Sequence, residues 1–581
     1  MSSELDTQVS YDTDIRVSLP FLQAARQRNY DYLTSLLAQG HHPNKRDDNG
    51  YMALHRAIIE APEDLTTVAM LLTYGASPHA FFRPGNSSLE ITPLHYAAMR
   101  GDVGLVSLFL NHGKNDVTPR TLKYWTTPLE NAISYGRLSV VARFIEFFSS
   151  SQLLHKPTRG IDESIILAAK LWYSKALTLL LDYKKHHMYP NPNGFDVLKH
   201  AFCEAIRPEA CTSSVQGITE RTGKPGDNTP SKCAHLLIQA GIRFRDDEMD
   251  RLLSITCSNA HFIGVTRLLL NMGPKVTGDH ITRAIESQSY HMVKIVTKYV
   301  ITSGGEAAMR RDSEPDFIQY AAGHGNLDTF EYLSTELSTT SSQSASMPTT
   351  ESRKTPLIHY AVWGLRLDVV QHLLSTRGSS ANEKDEYGHS PLMYAFDIAD
   401  PSDENTRLAI IQLLMQHGVD IKASSIEGLT ALHLAVRLGV TPAVQLLLEK
   451  GSNPNAKTAT GSDLYLRRNP SFWSPETNAR LRTPLHWAVD RLANVSVDVV
   501  RLLLHYGADM NAQDGNCVTP LNLLLGDGWC INGAWNARME VANLLLSCGA
   551  DVDIRDMSGI SARQRVDQRD AELHASAAHM A

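Results

Sequence analysis

Apolar residues along this chain recur in one phrase: two or three aliphatic residues, two residues of any kind, then glycine. It reads Leu36-Leu37-Ala38-Gln39-Gly40 and Leu71-Leu72-Thr73-Tyr74-Gly75, then Leu236 to Gly241 and Leu268 to Gly273. It returns from Leu413 to Gly418, Leu446 to Gly451, Leu502 to Gly507 and Leu544 to Gly549. Glycines 40 and 75 lie 35 residues apart, 241 and 273 lie 32 apart, and 418 and 451 lie 33 apart. A period near 33 residues is the mark of a stacked repeat, since one such unit cannot bury its apolar face without neighbours.

Local rules predict two short helices per unit. In Gly428 to Gly439, small and apolar residues fall at helical spacing and a glycine ends the run. In Thr441 to Gly451, Pro442 falls in a first helical turn, where its missing amide costs nothing. Val444, Leu447 and Leu448 form one apolar face at i, i+3 and i+4. Gly451 suits the left-handed position that ends a helix, and Asn453-Pro454-Asn455-Ala456 turns the chain toward the next unit. A composition of 43% hydrophobic and 20% charged residues is that of an ordinary soluble domain.

Several units carry a second phrase: Thr92-Pro93-Leu94-His95-Tyr96-Ala97-Ala98, Thr483-Pro484-Leu485-His486-Trp487-Ala488 and Ala431-Leu432-His433-Leu434-Ala435. With endings such as Gly507-Ala508-Asp509-Met510-Asn511-Ala512 and Gly549-Ala550-Asp551-Val552-Asp553, the chain resembles the ankyrin-repeat family. The resemblance implies an all-α repeat solenoid of stacked helix pairs with short β-hairpin fingers, about fourteen repeats long, whose concave face binds protein. It also implies that the signature histidines His55, His95, His359, His433 and His486 are structural and bond neighbouring fingers. Long divergent arrays of this kind look like those of filamentous fungi.

The resemblance divides the chain. A polar tail, 1–17, precedes a first block of repeats, 18–150. Degenerate repeats follow over 151–337, with unit starts at Asp162, Asp196, Asp250, Asp279 and Asp316, each Asp an expected helix N-cap. A Ser/Thr-rich linker, 338–352, leads to the third block, 353–572, and a C-terminal tail, 573–581. In the third block, Thr355-Pro356-Leu357-Ile358-His359 has one residue too many, and Thr519-Pro520-Leu521-Asn522 lacks the histidine.

Insertions make a solenoid individual. Between paired helices lie Glu60 to Asp64, Pro208 to Pro230, Asp397 to Glu404 and Gly526 to Trp535, and two of these are acidic. The step from Ala431 to Pro484 exceeds one repeat by Ser462 to Leu481, a finger insertion. It contains Tyr465, Arg467, Arg468, Phe472 and Trp473. Aromatics and arginines are enriched where partners are gripped, so these five, with Trp529 and Trp535, are the candidate partner-binding residues. Arg310-Arg311-Asp312-Ser313 resembles a basic-directed kinase target, which makes Ser313 a candidate phosphosite.

Other chemistry is not expected. His200, Cys203, Cys211, Cys233 and His235 match no zinc spacing, and Cys203 and Cys233 are expected on apolar helix faces. Seven scattered cysteines make no disulfide framework and imply no disulfide-linked partner. The stretch Gly217 to Pro225 imitates a phosphate loop but is one residue long in spacing and ends in proline, and no catalytic motif set is present. Net charge −7 lacks the basic stripe of a nucleic-acid surface. A polar start without an apolar core predicts no secretory signal, and the absence of a long apolar run predicts no membrane span. The expectation is a cytoplasmic or nuclear, non-enzymatic scaffold or adaptor without cofactor or metal, with a protein partner. Its alternatives are a transcriptional co-regulator lacking its own DNA-binding region and a substrate receptor of a ubiquitin ligase.

Overall fold

The structure is a computed structural model that describes residues 24, 29–40, 42–47, 50–61, 63–83, 90–112, 126–150, 159–187, 194–207, 229–303, 316–341, 355–376, 378–396, 403–459, 481–490, 496–526 and 535–567. These divide into two compact units, Met1–Lys275 and Val276–Ala581. The division falls inside the degenerate block rather than at either of its expected edges.

Among the described residues, the first full helix of the first unit is α1 (Tyr30–Ala38). Helix pairs follow: α2 (Ala53–Glu60) with α3 (Leu65–Thr73), α4 (Pro93–Arg100) with α5 (Val103–His112), and α6 (Pro128–Ser134) with α7 (Leu138–Ser150). Then come α8 (Arg159–Lys170) with α9 (Ser174–His187), α10 (Gly194–Ala205) with α11 (Pro230–Gln239), and α12 (Asp246–Cys257) with α13 (Ile263–Leu270).

The second unit repeats the scheme. It holds α14 (Gly278–Glu286) with α15 (Tyr290–Thr302), α16 (Phe317–His324) with α17 (Leu327–Ser341), and α18 (Leu357–Trp363) with α19 (Leu367–Ser375). It continues with α20 (Pro391–Tyr394) and α21 (Glu404–Gln416), then α22 (Ala431–Leu438) and α23 (Thr441–Glu449). The last pairs are α24 (Pro484–Val489) with α25 (Val497–His505) and α26 (Pro520–Leu524) with α27 (Trp535–Ser547). First helices pack on first helices and second on second, as α22 does on α24 and α23 on α25. The chain is thus an all-α repeat solenoid.

Packing follows the apolar pattern. Val444, Leu447 and Leu448 are buried in α23, and the same positions of α25 bury Val500 and Leu503. Pro442 is in the first turn of α23, and Gly451 follows it at φ +91°.

Two local expectations need correction. Only Asp316 is an N-cap, accepting from the Gln319 amide. Asp162 is in the first turn of α8, Asp279 is the second residue of α14 behind a Thr277 cap, and Asp250 lies inside α12. Acidic residues favour the whole first turn through the helix dipole, so they mark a start only to within a few residues. The fingers, too, are tighter than hairpins with strands. Among the described residues, pairing is limited to single bridges, Phe82 with Ile91, Ser424 with Thr430 and Arg555 with Ser561. Helix α17 runs to Ser341, into the first residues of the Ser/Thr-rich stretch. Extending an existing helix is cheap, and serine and threonine tolerate it.

Candidate functional site

The third residue of several first helices carries a clamp. The Thr92 hydroxyl lies 2.8 Å from His95 Nδ1, and His95 Nε2 donates to the Thr126 carbonyl at 2.9 Å. A carbonyl can only accept, so the proton is on Nε2 and Nδ1 is left to accept from the helix cap. His433 does the same with the Thr430 amide (3.2 Å) and the Arg482 carbonyl (3.2 Å), and His486 with the Thr483 amide (3.2 Å) and the Val518 carbonyl (3.0 Å). His55 accepts from the Met52 amide at 3.1 Å and donates to the Ala80 carbonyl at 3.2 Å. Each ring ties its own helix start to the next finger. Burial lowers the His55, His433 and His486 pKa values to about 4 against the opposing carbonyl bonds, so these rings are neutral at physiological pH.

Other residues take the same place without the signature. Gln319 Oε1 accepts from the Asp316 amide at 2.8 Å while Nε2 donates to the Thr355 carbonyl at 3.2 Å, reproducing both imidazole bonds. His280 accepts from the Thr277 amide at 3.0 Å, and Glu130 from the Thr127 amide at 2.7 Å. Asn522 donates to the Ile560 carbonyl at 3.0 Å, but its buried Oδ1 has no partner. The one signal that could have found Gln319 and His280 was their spacing, three residues beyond a capping Asp or Thr.

Fingers are built on a second rule. Asp385 Oδ1 accepts from the Tyr387 and His389 amides (2.9 and 2.7 Å), and Asp514 and Asp556 each accept two amides likewise. Successive tips are joined: the Ile426 amide donates to the Tyr387 carbonyl (3.0 Å), and the Ala459 amide to the Glu427 carbonyl (2.7 Å). Gly428 permits this, because at φ +74° a Cβ there would stand 2.7 Å from the Ala459 nitrogen. At the finger bases asparagines bridge repeats. Asn382 donates to the Gly418 carbonyl at 3.0 Å, and Asn455 to the Gly507 carbonyl at 2.9 Å while accepting the Asp509 amide at 2.7 Å.

The long finger insertion leaves this framework intact. Its ends meet where other fingers close: the Thr458 amide donates to the Arg482 carbonyl (3.1 Å), and the Arg482 amide to the Thr458 hydroxyl (3.0 Å). The buried Arg482 guanidinium reaches Asp490 (2.5 Å) and Asp514 (3.4 Å), fixing this base to its own first helix and to the next finger. Tyr465, Arg467, Arg468, Phe472 and Trp473 lie outside the described residues, as do Trp529, Ser313 and Cys211. Trp535 opens α27, with its side chain outside them as well.

Two exposed apolar side chains that sequence reasoning missed stand at fingertips, Ile426 at 73% and Met557 at 74% exposure. On the first helices of the second unit, Tyr320, Tyr360, Tyr394 and Trp487 occupy one repeat position, each half-buried, and the Arg437 guanidinium lies 5.5 Å from the Trp487 ring. The cysteine–histidine cluster disperses. Cys233 is buried, which pushes its thiol pKa up to about 12, while Cys203 is exposed rather than on an apolar face, as are His200 and His235. No group of three His, Cys, Asp or Glu among the described residues could hold a metal. Among them, too, no helix is long and apolar enough to cross a membrane.

Comparison with known proteins agrees with the repeat geometry. Residues 366–458 match the description "Ankyrin repeats (3 copies)", 90–121 and 480–515 match "Ankyrin repeat", and 21–72 match "Ankyrin repeats (many copies)". The chain is 35% identical over 161 residues to the B-cell lymphoma 3 protein homolog of Mus musculus, covering 28% of this chain and 30% of that protein. It is 29% identical over 185 residues to the human B-cell lymphoma 3 protein, covering 29% and 38%. An ankyrin repeat and KH domain-containing protein of Caenorhabditis briggsae is 26% identical over 406 residues, 68% of this chain and 14% of that protein. The chain therefore spans well under half the length of each of these relatives.

Proposed function

Because the chain is an ankyrin-repeat protein, we propose that it works as a non-enzymatic adaptor that grips a protein partner along its fingers and first helices. The observation that carries this reading is the way the stack passes the insertion between Thr458 and Arg482. The finger base is closed, Asn455 still bridges to Gly507, and α22 packs on α24, so the described residues on either side keep the repeat-to-repeat contacts of the other units. An insertion beyond the repeat length, rich in aromatics and arginine, suits a contact made with another molecule. The exposed tips at Ile426 and Met557 extend the same edge with apolar surface. Ser313 would be the place where phosphate adjusts such contacts.

The test is affinity capture from native cells with the intact chain and with residues 460–480 replaced by a short Gly/Ser turn. A stoichiometric partner held by the first and lost by the second supports the reading. A partner retained at full yield places the contact elsewhere. The identity of what is captured separates the general adaptor from a transcriptional co-regulator or a ubiquitin-ligase substrate receptor.

A further inference from the structure

The clamp that ties helix starts to fingers is broken at two successive first helices, α18 and α20, and each lacks the half that the other keeps. At α18 the imidazole is present: His359 Nε2 donates to the His389 carbonyl at 3.0 Å. The residue three before it, however, is Pro356, which has neither the amide nor the hydroxyl that Thr92, Thr430 and Thr483 offer in that place. His359 Nδ1 is consequently buried without a partner. The extra residue in Thr355-Pro356-Leu357-Ile358-His359 is the cause, since it moves the signature threonine one position too far out.

At α20 the hydroxyl is present and the ring is missing. Ser390 caps the helix, but three residues on stands the buried Met393, and Ser390 Oγ has no partner. The helix is short as well, four residues against eight in α22. An unmatched buried polar atom weakens the native state by its full desolvation cost, and a helix without its cap frays more readily. Neighbouring first helices have no such deficit: α16 is closed by Asp316 and Gln319, and α22 by Thr430 and His433.

We propose that α18 and α20 form a soft joint in the second unit, which opens locally while the helix pairs on either side remain closed. Local opening draws on the least stable cooperative segment. A binding array that yields at one joint can fit its first-helix face to a partner there at little cost.

The experiment is amide hydrogen exchange on the full chain, read by peptide. Peptides covering 356–363 and 390–396 exchange at least tenfold faster than those covering 431–438 and 484–489, after correction for intrinsic rates. Met393→His, which supplies the missing ring to Ser390, slows exchange over 390–396 about tenfold and leaves 484–489 unchanged. Pro356→Thr, at a backbone of φ −59° and ψ 150° that threonine adopts readily, does the same for 356–363 through His359. Equal protection of the two sets of peptides in the unaltered chain overturns the proposal. So does unchanged exchange in both variants when far-ultraviolet circular dichroism shows them folded.

Discussion

Replacing His433 by glutamine isolates the most quantitative consequence of the clamp. Burial lowers the His433 pKa from 6.5 to about 4. The unfolded chain therefore binds a proton that the folded one refuses between those values, and stability is lost as pH falls from about 6.5 toward 4. The full difference is worth about 3 kcal/mol at about 1.4 kcal/mol per pH unit, and about 2 kcal/mol of it is gone by pH 5. Glutamine does not titrate, and Gln319 already performs both clamp bonds in this protein. His433→Gln should thus keep α22 in place at pH 7 and remove its share of the acid sensitivity. Hydrogen exchange over 431–438 at pH 7 and pH 5, corrected for intrinsic rates, reads the local opening free energy directly. The variant should lose about 2 kcal/mol less than the unaltered protein between the two pH values. An identical loss in both would refute the claim that the ring is buried, neutral and titrating at this joint.

Four further outcomes follow from the same geometry. Asn522→His supplies an acceptor that satisfies the Thr519 amide and removes the orphaned Oδ1, so it should stabilise α26 by about 1 kcal/mol in urea unfolding at pH 7. Gly428→Ala, at φ +74° and with the Ala459 nitrogen 2.7 Å from the new Cβ, should cost about 1–2 kcal/mol, whereas Cys517→Gly, which relieves φ +58° at the same finger position, should gain about 1 kcal/mol; thermal melts compare them. Leu447→Ala, which empties a fully buried site between α23 and its neighbours, should cost about 2–5 kcal/mol by the same melts.

The glycine phrases and the Thr-Pro-Leu-His signature made the stacked helix pairs legible, because each rests on a local rule. Gly451 ends its helix where a positive φ was expected, and Leu447 and Leu448 face the core. The clamp was legible only where histidine announced it. Gln319 does the same work with an amide, and that equivalence is visible only once the distances to Asp316 and Thr355 are known. N-caps were misplaced at Asp162 and Asp279, since carboxylates are favoured throughout a first turn, and at Asp250, which lies beyond the first turn of α12. The fingertip side chains Ile426 and Met557 carried no signal at all: repeat surfaces are set by exposed positions that the fold leaves free.

The most direct test of the adaptor reading is a hydrogen-exchange footprint of the captured complex against the chain alone. New protection is expected at the fingertips around Ile426 and Met557 and along the first helices at Tyr394 and Trp487, with the second helices α21, α23 and α25 unchanged. Protection confined to those second helices, with the fingers exchanging as before, would contradict it.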